Sequence, residues 1–175
     1  MKNTILVTGC CGFIGSHMCN FLINKGHNVI GLDNFLTGSL ENIEEIYSNK
    51  KFTFIEHDVC HPIKIKIKID KILHFASTAS PKDYLKYPIK TLEIGSLGTQ
   101  NVLEFALKNN SLTLMASTSE IYGDPEISPQ KETYVGSVNP IGPRACYDEG
   151  KRCAETLFFG ELIYSVYYHN RMIQL

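Results

Sequence analysis

The 175-residue sequence predicts an α/β domain, a doubly wound parallel sheet with helices on both faces. Three observations carry that expectation. Short apolar runs of strand length alternate with longer segments of helical period. A glycine-rich turn, Thr8-Gly9-Cys10-Cys11-Gly12-Phe13-Ile14-Gly15, joins the first such strand to the first helix. An aspartate, Asp33, closes the second strand 18 residues past Gly15.

The elements follow in order. Asn3 to Thr8 is a buried strand broken by glycine, and Phe13 to Lys25 repeats apolar residues at 14, 18, 21 and 22, with Gly26 as its stop. His27 to Leu32 is the second strand, Leu40 to Tyr47 a short helix, and Lys51 to Glu56 the third strand. Ile63 to Ile69 alternates isoleucine with lysine, the period of a strand with one wet face. Lys71 to Phe75 is the next strand. Pro88 opens a helix to Asn109, since proline is tolerated in a first turn. Ser111 to Ala116 is strand again. The four prolines between Gly123 and Pro143 predict a loop, and Cys146 to Tyr168 returns to helix.

Composition narrows the function. A hydrophobic fraction of 43% and a charged fraction of 20% are ordinary for a globular domain. Seventeen basic against eighteen acidic side chains leave no basic field of the kind nucleic acid requires. No apolar run reaches the roughly 20 residues that cross a bilayer, and the N-terminus does not read as a signal peptide. A cytoplasmic protein without membrane or nucleic-acid partners is expected. The six cysteines show no CxxC pair, so reduced thiols are expected.

The glycine turn suits a dinucleotide. One glycine permits the tight turn, another admits a pyrophosphate to the backbone, and a third lets helix and strand pack closely. Free N–H groups at the helix start then receive the phosphates. Asp33 would accept from an adenosine ribose, and its charge would repel a 2′-phosphate, which favours NAD over NADP. A purely structural turn explains glycine spacing less well once Asp33 is included.

The candidate chemistry lies later. Tyr147 and Lys151 share one helix face, and an ammonium beside the phenol is expected to lower its pKa toward working pH. Thr118, at a strand end, would bind the same substrate hydroxyl, and Glu120 would point the same way if the chain stays extended. Strand-end capping is the bland alternative for both. A second Tyr-x-x-x-Lys, Tyr47 to Lys51, lies in a polar stretch without such company and reads as an accident.

Together these residues resemble an extended short-chain dehydrogenase/reductase of the NAD-dependent epimerase/dehydratase group. More narrowly, Ser117-Thr118-Ser119-Glu120-Ile121-Tyr122-Gly123-Asp124-Pro125 and the segment Val138 to Arg152 resemble the UDP-glucuronate decarboxylase (UDP-xylose synthase) family. Asp33-Asn34-Phe35, His57-Asp58-Val59 and Pro88-Ile89-Lys90-Thr91-Leu92 resemble it too. The resemblance runs from about residue 4 to Phe159 and implies a Rossmann-type NAD-binding domain over residues 1–159. It implies that NAD contacts Gly9, Gly12, Phe13, Ile14 and Gly15 in the turn and Asp33 and Asn34 after the second strand. Asp58, Val59 and Ala76 would complete the cleft, the first two beside the adenine. It further implies oxidation of the sugar C4 hydroxyl of UDP-glucuronate, loss of CO2 from the β-keto acid, and re-reduction to UDP-xylose. Tyr147 would be acid/base, Lys151 its partner on the nicotinamide ribose, Thr118 the C4-oxygen ligand and Glu120 an aid near the ring. A homodimer, or pairing with a full-length relative, is expected through the helices at 88–109 and 146–168.

Departures qualify this. Ser119 stands where sister 4,6-dehydratases carry an aspartate acid, which disfavours elimination; a 4-epimerase stays open. Gly95 replaces a family asparagine, with the loss of a side-chain hydrogen bond and about 1 kcal/mol of helix propensity. The isoleucine–lysine run is two residues longer than relatives require, an even insertion that preserves facing. After Phe159 the resemblance fades. Residues 160–175 read as a divergent apolar tail, expected to cover an open sheet edge or a partner interface. The last strands and the substrate domain are read as absent, so weak or no activity is expected, with a non-catalytic NAD-binding remnant or partner module as the alternative. His57, Cys60 and His61 read as loop residues rather than zinc ligands, and Cys10 and Cys11 as small turn residues rather than thiol sensors.

Overall fold

The computed structural model describes residues 2–164. Five strands, β1 (Thr4–Thr8), β2 (Asn28–Asp33), β3 (Phe52–Glu56), β4 (Lys71–His74) and β5 (Leu112–Met115), form one sheet in the order β3-β2-β1-β4-β5. Every pairing is parallel. The order reverses between β1 and β4, and the crevice outside the carboxyl ends of such strands is where this architecture binds ligands.

Alternation along β1 builds two cores. Ile5 and Val7 face one side, with Cys19, Leu22 and Ile23 of helix α1 (Phe13–Asn24) and Ile46 of α2 (Glu44–Tyr47). Leu6, Ile30 and Ile72 face the other, against Val102, Phe105 and Ala106 of a later helix. Leu6 and Ile72 are fully buried, each contributing about 1.5–3 kcal/mol of transfer free energy. Helix α1 stops as expected at Gly26, whose φ of +91° lets its N–H reach Ile23 O at 2.9 Å while His27 N reaches Leu22 O at 3.1 Å.

Three expectations change. The long helix from Pro88 is α4 (Pro88–Glu93), a π-helical turn (Ile94–Gly98) and α5 (Thr99–Asn109), preceded by an unforeseen α3 (Pro81–Lys86). The π turn falls at Gly95, where the chain backs against Gly150 of α6 (Ala145–Tyr164); a β-carbon at 95 would lie 2.5 Å from Gly150 O. Gly95 is therefore a close-packing residue and not merely a lost hydrogen bond. The isoleucine–lysine run forms no strand, because nothing pairs with it. Its facing still alternates: Ile63 and Ile65 pack on the second core and Ile69 is buried, while Lys64, Lys66 and Lys68 are exposed.

Helix α6 runs through residue 159 without interruption. Of the tail expected over residues 160–175, residues 160–164 continue α6, and residues 165–175 lie outside the described residues. No helix among the described residues is long and apolar enough to cross a membrane.

Candidate active site

The phosphate turn folds on itself because three glycines leave no side chain in the way. Gly9 has φ +71° and its N–H donates to Leu32 O at 2.8 Å; Gly12 N donates to Gly9 O at 3.1 Å. A β-carbon on Gly15 would sit 2.0 Å from Gly9 O, so helix and turn interlock only with glycine there. Gly12 caps α1 without a side-chain acceptor, which leaves the leading N–H groups of the helix to an outside anion.

An open cleft lies over this turn. Gly9, Gly12, Asp33 and Asn34 line it together with Asp58, Val59 and Ala76. Phe13 and Ile14 do not line it and are 78% and 60% exposed; Gly15 is buried beneath the turn. Asp33 is nearly buried, its Oδ2 accepting from Cys11 N and its Oδ1 from Phe35 N, both at 2.9 Å. Each oxygen keeps a further lone pair for a ribose hydroxyl. These features fit a dinucleotide: a cradle that a β-carbon would fill, uncapped amides for phosphate, and a charged acceptor beyond.

Ala76 and Ser77 also line a second, smaller pocket with Tyr147, Lys151, Gly150, Gly95 and His74. Tyr147 is 7% exposed and stacks on Tyr84, ring centroids 5.3 Å apart at 12°. Thr118 lies near enough to the Tyr147 phenol for its hydroxyl to favour the ionised form. Thr118 also caps the 3-10 turn Ser119–Tyr122, accepting from Glu120 N at 3.2 Å, the strand-end role named as the bland alternative.

Two expectations need correcting. Burial pushes the Tyr147 phenol above its ordinary value, with Asp148 and Tyr84 adding to the rise and Thr118 and Arg144 opposing it. Lys151 does not lower it, because its ammonium donates to Ala116 O at 2.7 Å instead. Lys151 itself is 8% exposed, and burial pulls it down to about 8, with Glu155 opposing. Glu120 does not follow Thr118 in extended chain; the 3-10 turn redirects it into an ion pair with Arg144.

Other predicted groups behave simply. Cys10 and Cys11 are fully buried, and the contact with Cys11 followed by burial holds the Cys10 thiol far above the ordinary range, which keeps it unreactive. His57 Nε2 lies 3.1 Å from His61 O, turned to the backbone. Tyr47 is 51% exposed and far from any such company.

Sequence reading missed His74. It is buried, and Thr8 Oγ1, which accepts from Phe75 N and Ala76 N at 3.2 Å, donates to its Nδ1 at 2.7 Å. That fixes the neutral tautomer with Nε2–H on Thr99 Oγ1 at 3.3 Å. Burial, then the Lys151 charge, lowers His74 to about 3. A polar residue ending the apolar strand Lys71-Ile72-Leu73-His74 was the available signal. Tyr84 carried none, while Lys90 and Arg144 stood inside the family-like segments without being singled out.

The model of the GDP-mannose 4,6-dehydratase family matches residues 6–161. The chain belongs to that family. It is similar to UDP-glucuronic acid decarboxylase 1 of Danio rerio, 51% identical over 158 residues, which is 90% of this chain and 37% of the relative. The chain thus spans little more than a third of that relative's length. Among solved structures, a UDP-galactose 4-epimerase superposes with a TM-score of 0.77 at 28% identity, covering 97% of this chain and 54% of that one. The enzyme WbmH of Bordetella bronchiseptica, solved in complex with NAD+, shares the fold with a TM-score of 0.76 at 24% identity, over 92% of this chain and 53% of its own.

Proposed function

We propose that this chain carries the cofactor-binding and proton-transfer half of an NAD-dependent UDP-glucuronate decarboxylase. The observation that supports this most is the Tyr147–Thr118 contact, set beside a pocket whose Ala76 and Ser77 also line the dinucleotide cleft. A hydroxyl held between Thr118 and Tyr147 would lose its proton to Tyr147 as its carbon loses hydride, the positive charge of NAD+ favouring the phenolate that burial disfavours. NAD+ supplies the acceptor for that hydride and returns it. The C4 ketone formed is β to the C5 carboxylate, so the C5–carboxyl bond breaks with its electrons delocalised toward the ketone oxygen and CO2 leaves. A proton then adds at C5. Tyr147 would give its proton back to the C4 oxygen as the ketone is reduced. The net change is UDP-glucuronate plus a proton to UDP-xylose plus CO2.

The similarity to the zebrafish decarboxylase and Ser119, in place of a dehydratase acid, favour this over elimination. The Asp33 carboxylate favours NAD over NADP. The chain spans little more than a third of that decarboxylase's length, and remote substrate contacts normally position the reacting centre, so turnover by the 175-residue chain alone is expected to be weak or absent.

The test has two steps. NAD+ titrated calorimetrically into the 175-residue chain is expected to bind. A chimera is then made with residues 4–159 in the corresponding segment of a UDP-glucuronic acid decarboxylase. It is expected to release labelled CO2 from carboxyl-labelled UDP-glucuronate, and the chimera with Tyr147→Phe is not. A folded, NAD-binding chimera that yields UDP-galacturonate or no CO2 would sink the decarboxylase reading.

A further inference from the structure

We propose that Lys90 is a positioning residue for dinucleotide recognition, its ammonium holding the Asp58 carboxylate at the cleft rim as an acceptor for the exocyclic amino group of adenine. This rests on the NAD reading and goes further, assigning a specificity device to a helix outside the cleft.

Asp58 lies two residues beyond Glu56, which is in register with Asp33. Asp33 and Asp58 therefore stand at the ends of neighbouring strands, on the same side of the cleft, which both line. Where Asp33 takes a ribose, the attached base comes to the β3 side, within the span of Asp58 and Val59. Adenine presents there a neutral N–H donor, and a carboxylate is its natural acceptor.

Lys90, on α4, places its Nζ 2.8 Å from Asp58 Oδ2. Asp58 Oδ1 accepts from Cys60 N at 2.9 Å. The carboxylate is fixed from two directions, each oxygen with a lone pair left. The ammonium also offsets a negative charge that would otherwise add to that of Asp33 in a cleft built for a pyrophosphate. Lys90 is shared with Glu93 at 3.4 Å, so its position does not depend on Asp58 alone.

The backbone of this loop is held independently. Asn101, itself buried, donates through Nδ2 to Val59 O at 2.9 Å. The Val59 side chain packs at Gly98, where a β-carbon would lie 2.9 Å from its Cγ2. Removing Lys90 thus frees the carboxylate while the loop stays in place, a separation that makes the role testable.

Calorimetric titration of the full chain compares NAD+ with nicotinamide hypoxanthine dinucleotide, which carries an oxo group where adenine has its amino group. The unaltered chain is expected to prefer NAD+. Lys90→Met should weaken NAD+ binding roughly five- to tenfold and narrow that preference, and Lys90→Arg should restore most of both. In an Asp58→Asn background, Lys90→Met should cost little more. Thermal unfolding of each variant verifies that it folds. NAD+ binding within twofold of the unaltered chain with the preference intact, or an undiminished Lys90 effect in the Asp58→Asn background, overturns the proposal while leaving the cofactor reading standing. Absence of NAD+ binding by the unaltered chain overturns both.

Discussion

Replacing Lys151 with methionine is expected to make the chain more stable at neutral pH. Lys151 is 8% exposed, and burial lowers its ammonium from 10.5 to about 8. At pH 7 the folded chain therefore carries a buried charge that costs about 3 kcal/mol relative to the unfolded chain. Methionine has similar length and no charge to desolvate. The loss is the hydrogen bond to Ala116 O at 2.7 Å, leaving a partly buried carbonyl short of a donor at a cost of about 1–2 kcal/mol. The balance is a gain of about 1–2 kcal/mol, or roughly 4 °C in Tm for a domain of this size. The sign depends on pH. The folded pKa lies below the unfolded one, so between pH 8 and 10.5 the unfolded chain holds the extra proton, and stability of the unaltered protein rises across that window. The methionine variant should be flat there, its advantage vanishing near pH 9 and reversing above it. Urea unfolding at pH 7, 8.5 and 9.5 reads both effects. A variant less stable than its parent at pH 7, or a parent whose stability does not climb above pH 8, would show that the ammonium is solvated after all.

Gly95→Asn, which writes the relatives' residue into this position, should destabilise rather than repair: its β-carbon would lie 2.5 Å from Gly150 O, and overpacking of about 1–3 kcal/mol exceeds the gain of under about 1 kcal/mol in helix propensity. Equal or greater stability by urea unfolding would mean that the helices part without cost. On the acid side, His74 stays neutral down to about 3 while the unfolded chain takes its proton near 6.5, so stability should fall by up to about 4–5 kcal/mol between those values. His74→Asn should flatten that limb, whereas the loss from Asp58, lowered to about 2 because Lys90 outweighs burial, begins only near 3.8. An acid limb in His74→Asn as steep as in its parent would assign the loss to other groups.

Strands and cofactor turn were legible because their signals are local. Five apolar runs and one glycine spacing place β1 to β5 and the cleft within a residue or two. The isoleucine–lysine run shows the limit of periodicity, which sets facing but not pairing: its lysines point out and most of its isoleucines in, yet no neighbour supplies a ladder. Glu120 failed for a related reason. Two-residue alternation holds only while the chain stays extended, and the Thr118 hydroxyl, by accepting from Glu120 N, offers the backbone a turn instead. The pKa of Tyr147 was misjudged from spacing. Four residues place Lys151 on the same face, but where an ammonium donates is decided by what lies opposite, and opposite lies Ala116 O.

That last contact belongs to a pattern that locates the whole site. Tyr147, Lys151 and Glu155 recur every four residues along α6, so they share one face. All three meet the short segment after β5: Tyr147 the Thr118 hydroxyl, Lys151 the Ala116 carbonyl, Glu155 the Ser117 hydroxyl. Arg152 extends the seam, donating to Ile121 O at 2.8 Å and Val135 O at 3.1 Å. The strand end is itself anchored, since Ala116 N donates to His74 O at 3.1 Å and His74 is tied through Thr8 to β1. How deeply α6 can settle on that segment is set from its other side, by Gly150 against Gly95. The placement of the phenol beside the cleft is therefore a property of Gly95 as much as of the tyrosine. A side chain at Gly95 would lift the face that carries Tyr147 and Lys151 together, whereas a β-carbon at Gly150 would come no nearer than 3.6 Å to Thr91 O; perturbing Gly95 should therefore disturb NAD binding less than it disturbs the Tyr147–Thr118 contact.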